Sequence, residues 1–202
     1  PEGAAPATAP VSVWVDLRDT VEVDGTWYRG AGLRSSVSHR VVFHDTPVLA
    51  VLGEPGWLTA LPWFARDALR TSATWAGLVD AAAAAALREL AARPRRGDLE
   101  HLAAGRIRTE QATVALWQER AAAAMDDGDP AALRAVSVQA RAATAAAAMR
   151  LLDEATRACG SHPLATGGEL DRVRRDLDVF LLQHRLDPLL ARDGAAALED
   201  GA

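Results

Sequence analysis

The sequence predicts a mainly α protein, an antiparallel four-helix bundle preceded by a few β-strands. Three observations point there. From about residue 57 to residue 193 the chain is rich in Ala, Leu and Arg, with apolar positions at helical spacing and few breakers. The breakers that do occur, Pro94, Gly128-Asp129-Pro130 and Gly160 to Gly168, fall 30 or so residues apart. Ahead of that region, residues 11–56 carry short β-branched runs and turn residues instead.

The first ten residues, Pro1 to Pro10, form a Pro/Ala/Gly string expected to be a flexible lead, and the lack of an initiating Met suggests a processed or truncated start. Val11, Val13 and Val15 alternate with other residues, Asp24-Gly25 offers a tight turn, and Val41, Val42 and Phe43 make another run, which predicts three or four strands. One or two hairpins of that size are rarely stable alone. Their apolar faces are expected to need a sheet that this chain does not supply.

After Gly53-Glu54-Pro55-Gly56, a first helix is predicted from Pro62 or Trp63 to Ala92, with Pro62 tolerable only in its first turn. Asp98 can cap a second helix running to Met125. Asp129 as cap and Pro130 at the first helical position start a third, which extends to about Ala158. A fourth is predicted from near Glu169 to just before Asp193-Gly194, leaving 194–202 as a flexible tail. Short connections between four long helices favour an up-and-down bundle. Trp63, Trp75 and Trp117 read as its core, and the many Ala positions let helices approach closely while burying little area each. Such a bundle gains from packing on other chains, so a homo-oligomer or a complementary chain is expected.

Composition narrows the function classes. The 202 residues carry 22 basic and 27 acidic side chains, every basic one an Arg, for a net charge of -5. That balance, with no basic face beyond Arg93, Arg95 and Arg96, argues against nucleic acid, whose binding rests on phosphate neutralisation. The most apolar stretch, Asp80 to Leu90, contains Asp80, Arg88 and Glu89, so no membrane span is expected. A lone Cys159 can form no intrachain disulfide and reads as a small buried residue in a cytoplasmic protein. His39, His44, His101 and His162 show no metal-ligand spacing, and no metal is expected.

Gly32-Leu33-Arg34-Ser35-Ser36-Val37-Ser38, followed by Val41-Val42-Phe43-His44-Asp45-Thr46-Pro47-Val48, resembles the end of the middle β domain of acyl-CoA dehydrogenases. The predicted bundle resembles that family's C-terminal domain, so residues 11–56 read as a remnant of the middle domain and 57–193 as the bundle. The family's Y-A-x-x-R-x-x-F-G motif, at the end of its first bundle helix, aligns with Arg93 and Gly97, with Arg96 in place of the aromatic. The resemblance implies that Arg93 reaches the diphosphate of FAD bound by a neighbouring subunit, where a guanidinium can make two parallel charge-assisted bonds. Read from the chemistry of helix ends alone, Arg93 neutralises its own helix terminus.

In the last helix, Arg172, Arg174-Arg175-Asp176-Leu177 and Gln183-His184 resemble the family's R-D pair. In many dehydrogenases a Glu eight residues beyond that Asp abstracts the α-proton of an acyl-CoA thioester. Here the eighth residue is His184. Some members carry the base on the first bundle helix, and that position aligns with Asp67, with Arg70 one turn on as a substrate contact. Asp67 is equally suited to an ion pair with Arg70 or Arg66 at helical spacing. The pattern also resembles the flavin-dependent monooxygenases of the same fold, in which a C-terminal His near reduced flavin, taken up as a co-substrate, can act on the substrate or the flavin-oxygen adduct. Val173, Leu177, Phe180 and Leu181 put His184 on or beside an apolar face, which suits a core histidine as well. Three readings stand at this point: the C-terminal part of an FAD-dependent acyl-CoA dehydrogenase-type oxidoreductase, a monooxygenase using His184, and an assembly subunit or fragment. None is expected to turn over alone, because the resemblance implies a flavin-binding region and a helical lid that do not fit in this length.

Overall fold

A computed structural model describes residues 9–200, so most of the expected flexible lead lies outside the described residues. The elements follow in the order β1 (Ser12–Val15), β2 (Val21–Asp24), β3 (Arg40–Phe43), β4 (Val48–Leu52), α1 (Trp63–Ala91), α2 (Asp98–Asp127), α3 (Pro130–Cys159), a one-turn α4 (His162–Ala165), α5 (Glu169–Phe180) and α6 (Asp187–Asp200). The mainly helical fold after short strands is the one the sequence predicts.

The strands pair as nested antiparallel ribbons, β1 with β4 and β2 with β3, in two separate two-stranded sheets. Asp24-Gly25 therefore starts a long excursion to β3 and does not close a tight hairpin. The Asp24 carboxylate accepts from both the Thr26 N–H and hydroxyl, an Asx-type turn that competes with strand continuation. Both ribbons leave apolar side chains in the open, among them Trp14, Val23, Phe43, Leu49 and Val51.

Cross-helix contacts fix the direction of each bundle helix. Ser137 of α3 bonds to the Ala65 carbonyl near the start of α1, while Arg93 beyond the end of α1 reaches the Ala158 carbonyl at the end of α3, so these two helices run together. Glu100 near the start of α2 meets Arg93, and Glu169 near the start of α5 meets Arg88, so α2 and α5 run the other way. Asp129 caps α3 as expected, accepting from Ala131 N–H at 2.9 Å, a contact worth about 1 kcal/mol. At α2 the cap is Gly97, one residue before the expected Asp98, and the Glu100 carboxylate accepts from the Gly97 N–H at 2.9 Å. This is half of a capping box, since glycine has no side chain to return the bond.

The predicted fourth helix is corrected. It breaks after Phe180, tightens over Leu181–Gln183 and becomes extended at His184, and a new helix begins at Asp187. Pro188 sits in the first turn of α6, the one place a helix accepts it. The expected tail from Gly194 is correspondingly helical, as part of α6, which packs on α3.

Two apolar clusters fill the bundle. The larger gathers Trp75, Val79, Ile107, Leu151, Val173 and Leu177, and the smaller gathers Ala65, Leu69, Ala121, Leu133 and Ala140. Between them lies a polar layer: Ser72 of α1, Gln118 of α2, and Ser137, Arg141 and Thr144 of α3.

Candidate functional site

The polar layer is the chemically unusual part of the bundle. Gln118 Nε2 donates to Thr144 Oγ1 at 3.2 Å and to Ser72 Oγ at 3.5 Å, and Ser72 returns its hydroxyl to the Leu69 carbonyl at 2.8 Å. These groups are neutral and satisfied. Arg141 differs from them in being charged: it is only 5% exposed, yet forms no ion pair among the described residues. Its Nε donates to the Ser137 carbonyl at 2.8 Å, and its Nη1 lies 3.1 Å from His184 Nδ1.

That second contact fixes the imidazole. Guanidinium has no acceptor, so Arg141 donates and His184 Nδ1 must be the unprotonated nitrogen, leaving the proton on Nε2. The ring also packs edge-on to Trp75 at 5.1 Å between centroids, and Trp75, wholly buried, meets Phe180 edge-on at 6.0 Å. Burial and the Arg141 charge hold the His184 pKa below its ordinary value, partly opposed by the Asp67 carboxylate. His184 is thus a neutral donor at neutral pH. The break after Phe180 is what allows this, because it turns His184 out of the helical register and lays its ring on α1 and α3.

Asp67 shares this neighbourhood, through its charge on His184, but its side chain is 73% exposed and lies 3.9 Å from Arg70, itself exposed. The structure so brings together Asp67, Arg70 and His184. Arg93 and Gly97 are at the other end of α1. From Asp67 to Ala91 the helix rises roughly 36 Å, too far for both groups to hold the same small molecule within one chain. Arg93 is also engaged: Nη1 donates to Glu100 at 2.9 Å and Nη2 to the Ala158 carbonyl, tying α1, α2 and α3 together. Gly97 serves the α2 terminus. Arg95 and Arg96 beside them are exposed and make no ion pair among the described residues, and Arg96 lines a cleft of about 540 Å³ with Pro94, Glu100 and His101. The cations at this turn suit a diphosphate, as flavin would bring, with Arg95 and Arg96 readier than Arg93 to bind it.

Arg175 and Asp176 fasten the strand region to the bundle. Asp176 accepts from the Leu33 N–H at 2.6 Å, and Arg175 donates to the Ala31 carbonyl at 2.8 Å, so the Gly32-Leu33 segment is clamped to α5. The approach is so close that a Cβ on Gly32 would stand 1.8 Å from the Arg175 carbonyl oxygen. Cys159 is half-buried with its thiol pKa pushed up by burial, which keeps it an unreactive thiol. Among the described residues no cluster of metal-binding side chains forms and no helix is long and apolar enough to cross a membrane.

The chain belongs to the acyl-CoA dehydrogenase C-terminal domain family, whose model matches residues 54–182. Among solved structures it is similar to the HsaA monooxygenase from M. tuberculosis, with a TM-score of 0.63 and 22% identity over 91% of this chain. The chain spans 54% of that protein's length, and at this identity the likeness is one of fold. No curated protein matches the chain by sequence.

Proposed function

We propose that this chain is part of a flavin-dependent oxidoreductase of the monooxygenase kind, with reduced flavin as co-substrate and His184 at the reacting face. The observation that carries the reading is the state of the residue eight positions beyond Asp176. In place of a carboxylate stands an imidazole held neutral by burial and by the Arg141 charge, with its Nε2–H left to donate. Abstracting a proton α to a thioester needs a positioned base. Nδ1 is occupied by a cation, and Asp67 lies exposed beside Arg70.

Bound reduced flavin would supply the oxygen-activating chemistry. The chain's own residues would do the rest: Arg141 sets the tautomer, Nε2–H donates to an oxygen of the substrate, and Trp75 and Phe180 keep water from that side of the ring. Arg95 and Arg96 would meet the flavin phosphate in an assembly with another copy or a complementary chain, to which the open apolar faces of both ribbons would contribute. The similarity to a monooxygenase supports the choice of branch, though only through fold.

Anaerobic titration of the chain with oxidised and with reduced flavin tests the co-substrate role. Tighter binding of the reduced form is expected. Preferential retention of oxidised FAD, with reduced flavin released, would contradict it.

A further inference from the structure

We propose that the outward face of α2 is an interface with a second copy of this chain, packed antiparallel about a two-fold axis at Thr109. The inference needs neither flavin nor His184, and it concerns a surface apart from both the polar layer and the ribbons.

α2 lays Ala103, Ile107, Val114 and Ala121 into the bundle. The stripe opposite them holds Asp98, Leu102, Gly105, Thr109, Leu116 and Arg120, all exposed. Leu102 is 50% and Leu116 65% exposed, and a Cβ on Gly105 would meet nothing within 4 Å, so no described part of this chain covers the stripe. Covering it would strand no hydroxyl donor. Thr109 donates to the Gly105 carbonyl at 3.0 Å, and Thr113 at the edge of the stripe donates to the Thr109 carbonyl at 3.0 Å. Exposed leucines alone would say little. Their arrangement with the charges says what covers them.

Reversed end for end, the stripe is its own complement. Leu102 and Leu116 stand seven residues to either side of Thr109, and Asp98 and Arg120 stand eleven. Seven and eleven residues are close to two and three helical turns, so both pairs return to the face of Thr109. A two-fold axis at Thr109, perpendicular to α2, sets Leu102 on the partner's Leu116 and Asp98 beside the partner's Arg120, each contact made twice. The small Gly105 and Thr109 between them allow the axes to approach to about 8 Å. Parallel pairing would instead set Asp98 on its own copy and Arg120 on its own, so charge selects the antiparallel arrangement. Neither Asp98 nor Arg120 forms an ion pair among the described residues, and the Arg120 guanidinium lies over the Trp117 ring, 5.7 Å from its centroid. Arg106 and Arg108, on the flanks, are engaged within the chain by Glu154 and Gln111.

The test is the oligomeric state of the 202-residue chain without flavin, read by sedimentation equilibrium, and a reversible dimer is expected. Asp98→Arg and Arg120→Asp should each weaken the dimer at least tenfold, and the double exchange should restore most of it. Restoration separates the pairing from the effect of Asp98 on its own helix terminus, which a change at Arg120 cannot repair. In a Cys159→Ala background, Thr109→Cys should oxidise to a disulfide-linked dimer, because a residue on the two-fold axis meets its own copy. Ala115→Cys, on the side of α2, should link at least tenfold more slowly. A chain that stays monomeric, equal linking rates for the two cysteines, or no restoration by the double exchange would overturn the assignment. A dimer that withstands every α2 variant would place the second copy elsewhere, on the open ribbons, and would overturn it as well.

Discussion

The Arg141 guanidinium donates to His184 Nδ1 over 3.1 Å from a position 5% exposed, joining α3 to the break between α5 and α6. An arginine kept there for stability and one kept for binding differ in what their removal does. A buried charge with no partner of opposite sign carries a desolvation cost that an apolar group of similar length removes. We expect Arg141→Met to unfold in denaturant no earlier than wild type, read from the midpoint at constant slope. A loss of several kcal/mol would mark Arg141 as a structural member of the polar layer.

His184 gives the chain a pH dependence of known sign. Its folded pKa lies below the ordinary 6.5, so the unfolded chain takes up the proton first as pH falls. Its contribution is present above pH 6.5 and lost as pH drops from there towards the folded value. Melting temperature should fall over that window in wild type and fall less in His184→Gln. A parallel decline in both proteins would mean that other groups carry it.

Asp67 opposes that shift, since its carboxylate pulls the His184 pKa back up. Asp67→Asn should lower the His184 pKa further, and Arg141→Met should raise it, both followed by the imidazole proton shifts in NMR titrations. If neither variant moves the titration, the three groups are not coupled as the geometry indicates.

Gly32 tests how the strands are fastened to the bundle. Gly32→Ala would force a methyl onto the Arg175 carbonyl, a backbone atom that cannot swing aside, at a cost of about 1–3 kcal/mol. Limited proteolysis between residues 30 and 39 should then speed up while the helices stay intact. An unchanged cleavage rate would show that the Asp176 and Arg175 contacts are dispensable.

Much of this architecture was legible in the residues. Asp129-Pro130 and Pro94 mark helix ends by chemistry that tertiary packing seldom overrides, and the structure places ends there. The same signal stands at Asp187-Pro188, yet a continuous fourth helix was expected, because the run of Leu, Gln and Arg before it contains no breaker. That missed break is what frees His184 from helical register. Arg141 was missed for another reason. In a chain where every cation is Arg, one more is unremarkable until Ser137, Thr144, Ala145 and Ala148 are seen to bury the same stripe of α3. An Arg within such a stripe was the available signal. The joining of Asp67 to His184 was not readable at all, since it depends on how α1 and the α5–α6 break meet.

The most direct test of the central claim is the reaction of the flavin-loaded assembly, this chain with its complementary flavin-binding chain, with acyl-CoA thioesters without oxygen, set beside the reaction of its reduced flavin with oxygen. We expect no bleaching of the flavin by acyl-CoA, and oxygen reactivity that changes on His184→Gln but not on Asp67→Asn. Anaerobic bleaching by an acyl-CoA that is abolished by Asp67→Asn would establish dehydrogenation and contradict the account.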